Sequence, residues 1–319
     1  MGTAFAMHAA RLGLPTALWA NSHDLAAYAA MRRERRHPLL TEHLPDGVEL
    51  FGPNELDVAA RDVEIAVMGA NHSGARSLAE MVHEVVGDAR SAVAIAKGLE
   101  PATGKRMSEV YTEGLHGPEV VTVGGPCLAR ELAEHLPTAA VWAAASIDVA
   151  EEAGKPFDDA RYQLTFTDDV VGVELCSMMK NVAAIGVGIL DGLGKATDTG
   201  YQNAKAALFT RAAREIVELV TAAGGRDETA MGLAGIGDQL VTSLGGRNRL
   251  YGELVGAGDP PEDTLTELEA QGLTVEGVDS TRDVRRLAEE LGLDLPYHAA
   301  IHRVLFEDAR PEEILEVLR

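Results

Sequence analysis

The lysine in ELCSMMKNVAAIGVGI, Lys180, is the residue of this sequence whose setting speaks most clearly of chemistry. Its neighbours form an apolar run with helical spacing, so a helix here buries most of its circumference. An ammonium in such surroundings is costly unless it is paired. Burial draws its pKa down toward the range in which a lysine can both give and take a proton. The bland alternative is a lysine whose stem lies along a partly exposed face with its head in water.

Two other stretches could work with it. Lys97 closes the strand-like segment AIAKGLEPATG and is followed by Gly98, which places it either at a ligand cleft or on an ordinary surface. MGLAGIGDQLVTSLGGRNRLYGE reads as a glycine-rich loop ending in Arg247 and Asn248. A guanidinium fork beside an amide and exposed backbone N–H groups suits a phosphate dianion. Asp238 in the same stretch could orient Lys180 electrostatically, although such a loop can also be plain helix punctuation. The basic cluster MRRERRHP at 31–38 admits a cofactor phosphate contact or a solvated helix face.

These residues need a frame. TALWA at 16–20, VEIAVMG at 63–69, SAVAIAKG at 91–98 and VVTVGGP at 120–126 are short β-prone runs. HSGARSLAEMVHEVV and GKRMSEVYTE between them are helical, and the alternation predicts a parallel sheet covered by helices, with ligands at the strands' carboxyl ends. From 168 onward the strands stop. DVVGVELCSMMKNVAAIGVGILDGLG, NAKAALFTRAAREIVELVTAAGG, STRDVRRLAEELGL, YHAAIHRVLFE and RPEEILEVLR all read as helices. The expectation is an α/β chain: a Rossmann-like nucleotide-binding domain over 1–167 and an all-helical substrate domain over 168–319.

Composition narrows the partners. With 50 acidic against 28 basic residues, the surface repels nucleic acid and anionic membranes, so neither is expected as a partner. Two cysteines, Cys127 and Cys176, support neither a disulfide framework nor a cysteine metal site; no metal centre is expected, and a reducing, cytoplasmic setting is. The N-terminal apolar run is broken by Arg11 and Pro15, unlike a secretory signal, and Ala6 stands where myristoylation wants Ser or Thr. The apolar run around 181–194 reads as too short to span a membrane.

Seven stretches in one order carry a resemblance over nearly the whole chain. They are AKGLEPATGKRMSEV, GGPCLARELA, DDVVGVELCSMMKNVAAIGVGILDGLG, NAKAALFTRAA, MGLAGIGDQLVT, GRNRLYGE and VEGVDSTRDV. As a set they resemble the NAD(P)-dependent sn-glycerol-3-phosphate dehydrogenase family. The resemblance implies hydride exchange between NAD or NADP and the central carbon of a phosphorylated triose or glycerol, for glycerophospholipid synthesis. It makes Lys180 the proton donor and acceptor, with Asp238 tuning it and Lys97 polarising the same oxygen. Gly125, Cys127, Asn181, Thr242, Gly246, Arg247 and Asn248 fall at substrate positions. Gly2, Trp19, His72, Lys97, Ala129, Arg247 and Glu276 fall at cofactor positions. A homodimer is implied as well.

The sequence also departs from the family. Cys127 stands where Ser or Thr is common and Gly246 where Ser is, which removes two hydroxyls. VMGANHSG lacks a proline usual after that strand. WANSHD offers neither an acid for a ribose hydroxyl nor an arginine for a 2′-phosphate, so NAD and NADP both stand. MGTAFAMHAARLG aligns with the helix after the dinucleotide fingerprint, Gly2 being the last of its three glycines. The fingerprint's strand and first two glycines are not in this sequence, from which a sheet short of its central strand and weaker cofactor binding are expected. An impaired or regulatory relative, and a dehydrogenase for another small substrate, are the alternatives.

Overall fold

The structure, a computed structural model, describes residues 1–319. The chain divides into two compact units, one of residues 1–96 with 105–170 and one of residues 97–104 with 171–319. The short segment Lys97–Gly104 thus belongs with the helical unit, although both its flanks lie in the α/β unit.

The α/β unit has seven strands: β1 (Thr16–Trp19), β2 (Val48–Phe51), β3 (Ile65–Met68), β4 (Ser91–Ala94), β5 (Glu119–Gly124), β6 (Thr138–Ala143) and β7 (Tyr162–Thr167). Its helices are α1 (Gly2–Arg11), α2 (Leu25–Glu34), α3 (Leu56–Ala59), α4 (Ala75–Val86), α5 (Met107–Leu115), α6 (Ala129–Ala133) and α7 (Ile147–Gly154). On β4, Val93 packs with Phe5, Leu132, Trp142 and Ala150 on one face, whereas Ala92 and Ala94 pack with Ala79, Val82, Val110 and Tyr111 on the other. That alternation, with no solvated face, is the mark of a sheet covered by helices on both sides.

Two features differ from the sequence expectation, and a third is the gap expected in the sheet. First, β2, β6 and β7 join the four expected strands. Second, the sheet is not wholly parallel, because β6 runs antiparallel to β5. Third, the strands form two sheets, β1–β2 and β3–β4–β5–β6–β7, so β1 and β3 each keep one edge without a strand partner. Helix α1 lies against β1, β2 and β3, and Leu18, Leu50, Ile65 and Val67 all pack on the cluster that holds its Phe5 and Met7. Apolar packing on one helix therefore joins what backbone hydrogen bonds do not.

The helical unit comprises α8 (Val170–Thr197), α9 (Gln202–Ala222), α10 (Asp227–Met231), α11 (Asp238–Leu244), α12 (Arg247–Ala257), α13 (Pro261–Ala270), α14 (Glu276–Leu291) and α15 (Pro296–Phe306). The last segment expected as an α-helix, Pro311–Leu318, is a 3₁₀ helix. The run read as too short to span a membrane is part of α8, which by length and composition could cross one; 89% of its apolar window is buried inside the protein. Its apolar surface is already covered.

Glycine sets how α8 meets α12. A Cβ on Gly188 would stand 2.1 Å from Arg249 O and one on Gly192 2.1 Å from Glu253 O. Reciprocally, a Cβ on Gly252 would stand 2.1 Å from Ile185 O and one on Gly256 2.2 Å from Ile189 O. Two glycines four residues apart on each helix lie on one face, which brings the backbones together. Asp191 adds a polar clasp: its carboxylate accepts from Arg249 Nε at 2.7 Å and pairs with Lys205 at 2.6 Å. Burial would raise Asp191, but Arg249 and Lys205 overcome it and hold the carboxyl below its usual range.

Glu215 anchors α15. Its buried carboxylate accepts from Tyr297 N at 2.9 Å, His298 N at 3.1 Å and His298 Nδ1 at 2.7 Å, capping the first turn of the helix. Glu215→Gln replaces one acceptor oxygen by a donor facing donors. It is expected to lower stability by about 2 kcal/mol, read from the midpoint of denaturant unfolding. An unchanged midpoint would mean that the cap carries no net stabilisation.

Candidate active site

The buried lysine of the sequence has its partner. Lys180 and Asp238 are almost fully buried, and Lys180 Nζ is ion-paired with Asp238 Oδ1. Lys97 Nζ donates to the other oxygen, Asp238 Oδ2, at 3.0 Å. One carboxylate thus holds two ammonium groups, and all three residues lie in the helical unit.

Charge counting explains the titration. Burial pushes Lys180 down, Asp238 pushes it up, and Lys97 adds to the lowering; burial wins, and the group comes down to about 7. For Asp238, burial alone would raise the carboxyl, but Lys180 and Lys97 together hold it below its usual range. The aspartate stays ionised while Lys180 is poised to exchange its proton near neutral pH.

The local fold that presents Asp238 differs from the loop expected. MGLAGIGDQLVTSLGGRNRLYGE is almost wholly helical: the end of α10, a π-helical turn over Leu233–Gly237, α11 and α12, broken at Gly232 and at Gly245 and Gly246. The π turn needs Gly235, whose Cβ would stand 1.8 Å from Ala230 O. Asp238 follows that turn directly as the first residue of α11. Gly246 has φ +96°, a left-handed conformation that glycine adopts without strain, and it starts α12.

Arg247 and Asn248 form the first turn of α12, with Arg247 exposed. Asn248 is clamped: Nδ2 donates to Asn181 Oδ1 at 3.0 Å and Oδ1 accepts from Gly277 N at 2.9 Å. Asn181 follows Lys180 on α8 and donates through Nδ2 to Ser177 O at 3.4 Å. Gly277 leaves no room for a side chain, since its Cβ would lie 2.8 Å from Asn248 Oδ1. Thr242 lies one turn beyond Asp238 on α11, and Glu276 opens α14 beside Gly277. Lys180, Lys97 and Asp238 therefore form one contact network, and Asn181 and Asn248 a second that joins it at the Lys180–Asn181 step of α8. Gly277, Gly188 and Gly252, which set these positions, were not singled out from the sequence. The spacing of four between Gly188 and Gly192, and again between Gly252 and Gly256, was the available signal.

The other sequence candidates lie in the α/β unit, near carboxyl ends of strands. Trp19 ends β1, His72 follows β3 and is buried, and Gly125 follows β5 with φ +98°. Ala129 opens α6. Cys127 belongs to the apolar cluster, so its backbone rather than its thiol is what it can offer a ligand. Gly2 opens α1; a Cβ there would meet Gly69 Cα at an ordinary 3.7 Å.

A mostly parallel sheet covered by helices on both faces, in one chain with an all-helical unit that buries a lysine against an aspartate, is the frame of a two-unit dehydrogenase. The chain matches the NAD-dependent glycerol-3-phosphate dehydrogenase N-terminus over residues 1–150 and the C-terminus of the same family over residues 169–316. It is 36% identical to glycerol-3-phosphate dehydrogenase (NAD(P)+) 2 of Salinibacter ruber, covering 99% of this chain and 91% of that one. It is also 36% identical to the corresponding Thermoanaerobacter enzyme, covering 98% and 92%. The crystal structure of glycerol-3-phosphate dehydrogenase from Coxiella burnetii superposes with a TM-score of 0.86 at 29% identity, over 99% of this chain and 94% of that one. The chain belongs to the NAD(P)-dependent glycerol-3-phosphate dehydrogenase family.

Proposed function

We propose that this protein interconverts dihydroxyacetone phosphate and sn-glycerol 3-phosphate with NAD or NADP, and that Lys180 exchanges the proton. The observation that carries this reading is the buried Lys180–Asp238 pair, with the half-buried Lys97 on the other carboxylate oxygen. When bound, the nicotinamide supplies or takes the hydride. In the direction of ketone reduction, protonated Lys180 donates to the oxygen on the central carbon, and neutral Lys180 takes that proton back in oxidation. Asp238 positions Lys180 and stays ionised throughout. Lys97 keeps a second positive charge at the site, which favours the developing alkoxide.

Arg247 and the N-terminus of α12 would hold the phosphate, with Asn248 locked in orientation by Asn181 and Gly277. Gly125, Cys127, Thr242 and Gly246 are proposed to complete the substrate site. The first turn of α1, with Gly2, would take the cofactor pyrophosphate, and Trp19, His72, Ala129 and Glu276 would bind elsewhere along the cofactor. Family resemblance supports a homodimer.

The test is oxidation of reduced nicotinamide cofactor by the purified protein with dihydroxyacetone phosphate, compared with unphosphorylated dihydroxyacetone. Turnover is expected with the first and little with the second. Arg247→Ala is expected to raise KM for the phosphorylated substrate about 10- to 100-fold, the loss of one charge-assisted contact, and to leave the unphosphorylated rate as it was. Equal loss on both substrates would remove Arg247 from phosphate binding.

A further inference from the structure

The α/β unit holds a group of side chains that the dehydrogenase reading does not use. His8 on α1, His135 between α6 and β6, and Asp159 just before β7 each offer one ligand atom, and the three atoms lie within 4.8 Å of one another. We propose that they form a binding site for one divalent transition-metal ion, of which zinc is the natural occupant.

The orientation of each member is already fixed by a neighbour. His8 Nε2 lies 2.7 Å from Phe157 O. A carbonyl only accepts, so Nε2 carries the proton and Nδ1 keeps its lone pair. Nδ1 is fully buried and has no hydrogen-bond partner, an arrangement that native proteins usually avoid. A ring whose one nitrogen donates to a carbonyl while the other stays bare is how metal-binding histidines are commonly held. Asp159 is also held in place: Oδ1 accepts from Arg161 N at 2.8 Å and Tyr162 N at 2.6 Å, and Oδ2 accepts from His135 Nε2 at 3.1 Å, a hydrogen bond that the ion would replace. His135 completes the set from a left-handed backbone conformation, φ +56°, which is uncommon for a non-glycine residue.

The donor set selects the class of ion. Two imidazoles and one carboxylate suit zinc, cobalt or nickel, whereas magnesium and calcium prefer oxygen alone. The His135 side chain is partly exposed, which leaves a fourth position for water. Bound metal would tie α1 to the segments that precede β6 and β7. Because α1 is what joins the β1–β2 pair to the main sheet, the ion would brace the unit at that joint.

The full-length protein, treated with chelator and dialysed, is titrated with Co²⁺ and with Zn²⁺. One Co²⁺ per chain with the visible absorption of a four-coordinate ion is expected. A Tm rise of about 5 °C or more is expected at Zn²⁺ a hundredfold above Kd, with no such rise in Mg²⁺. His135→Ala removes an exposed ligand and Asp159→Asn keeps an acceptor for the two backbone N–H groups. Each is expected to weaken Zn²⁺ at least tenfold while dehydrogenase activity is unchanged. No zinc-dependent shift in the parent protein, or equal zinc affinity in the parent and both variants, would overturn the proposal and assign any binding to the acidic surface.

Discussion

Lys180→Ala is expected to lower kcat/KM for dihydroxyacetone phosphate about a thousandfold, the usual worth of a positioned proton donor. The fold should survive, because Asp238 keeps Lys97 at 3.0 Å and so is not left as an unpaired buried charge. Lys180→Met, which keeps the apolar volume of the lysine stem, separates lost packing from lost chemistry: both variants should be equally inactive and both should bind cofactor. The parent's pH dependence carries a sign. Ketone reduction uses the protonated lysine, so log kcat/KM falls as pH rises through about 7, and glycerol phosphate oxidation rises over the same range. A thousandfold loss with the same pH profile retained in the residual activity would move the proton exchange to another group.

The same lowered pKa affects stability. Folded Lys180 releases its proton near 7, whereas unfolded lysine holds it to its ordinary 10.5. Between those values the unfolded state binds more protons, so this group's contribution to stability increases with pH from about 7 upward. Below that range the fold carries a buried ammonium that only Asp238 compensates. The site is thus strained in its protonated form, which is the form that donates.

Gly252→Ala is expected to cost about 3 kcal/mol of stability, at the upper end for one added methyl group. The new Cβ would sit 2.1 Å from Ile185 O and 3.0 Å from Ile185 Cα. Those are backbone atoms, so the helices themselves must part. Asn248, one turn earlier on α12, would then move from Asn181, and KM for the substrate should rise along with the loss of stability. Gly258→Ala, beyond the end of α12, is the comparison: nothing lies within 4 Å of its Cβ, so only its φ of +111° resists the change. If Gly252→Ala raised no KM while lowering stability, the α8–α12 contact would be a matter of folding alone.

Part of this was legible in the sequence. Lys180 stood out because a charge inside an apolar helix is rare enough to need a reason, and that reason is local. Lys97 was read as either a cleft lysine or an ordinary surface one, because its partner Asp238 lies 141 residues away and no spacing rule connects them. Arg247 and Asn248 were found as a pair, but the chain around them was read as a loop. Glycine was taken there as a helix breaker, whereas Gly235 admits a π turn and Gly252 a close helix crossing. The reversed strand β6 was invisible for a different reason: a strand's direction is decided by the connection that precedes it, not by its own residues. The His8, His135 and Asp159 group had no signature at all, since its members come from three elements.

The segment Lys97–Gly104 has a consequence for how such a protein could have been assembled. The chain leaves one unit for the other after Ala96, returns after Gly104 and leaves again after Val170. Gly104, with φ +70°, sits against the Arg286 guanidinium of α14, so this excursion is seated on the helical unit. A gene fragment encoding 171–319 alone would encode Lys180 and Asp238 but not Lys97. Recombination that exchanged only the second half between relatives would draw the two cations of one carboxylate from different parents. The helical unit is therefore not encoded by one continuous stretch of the gene: Lys97, which pairs with Asp238, comes from the half that encodes the other unit.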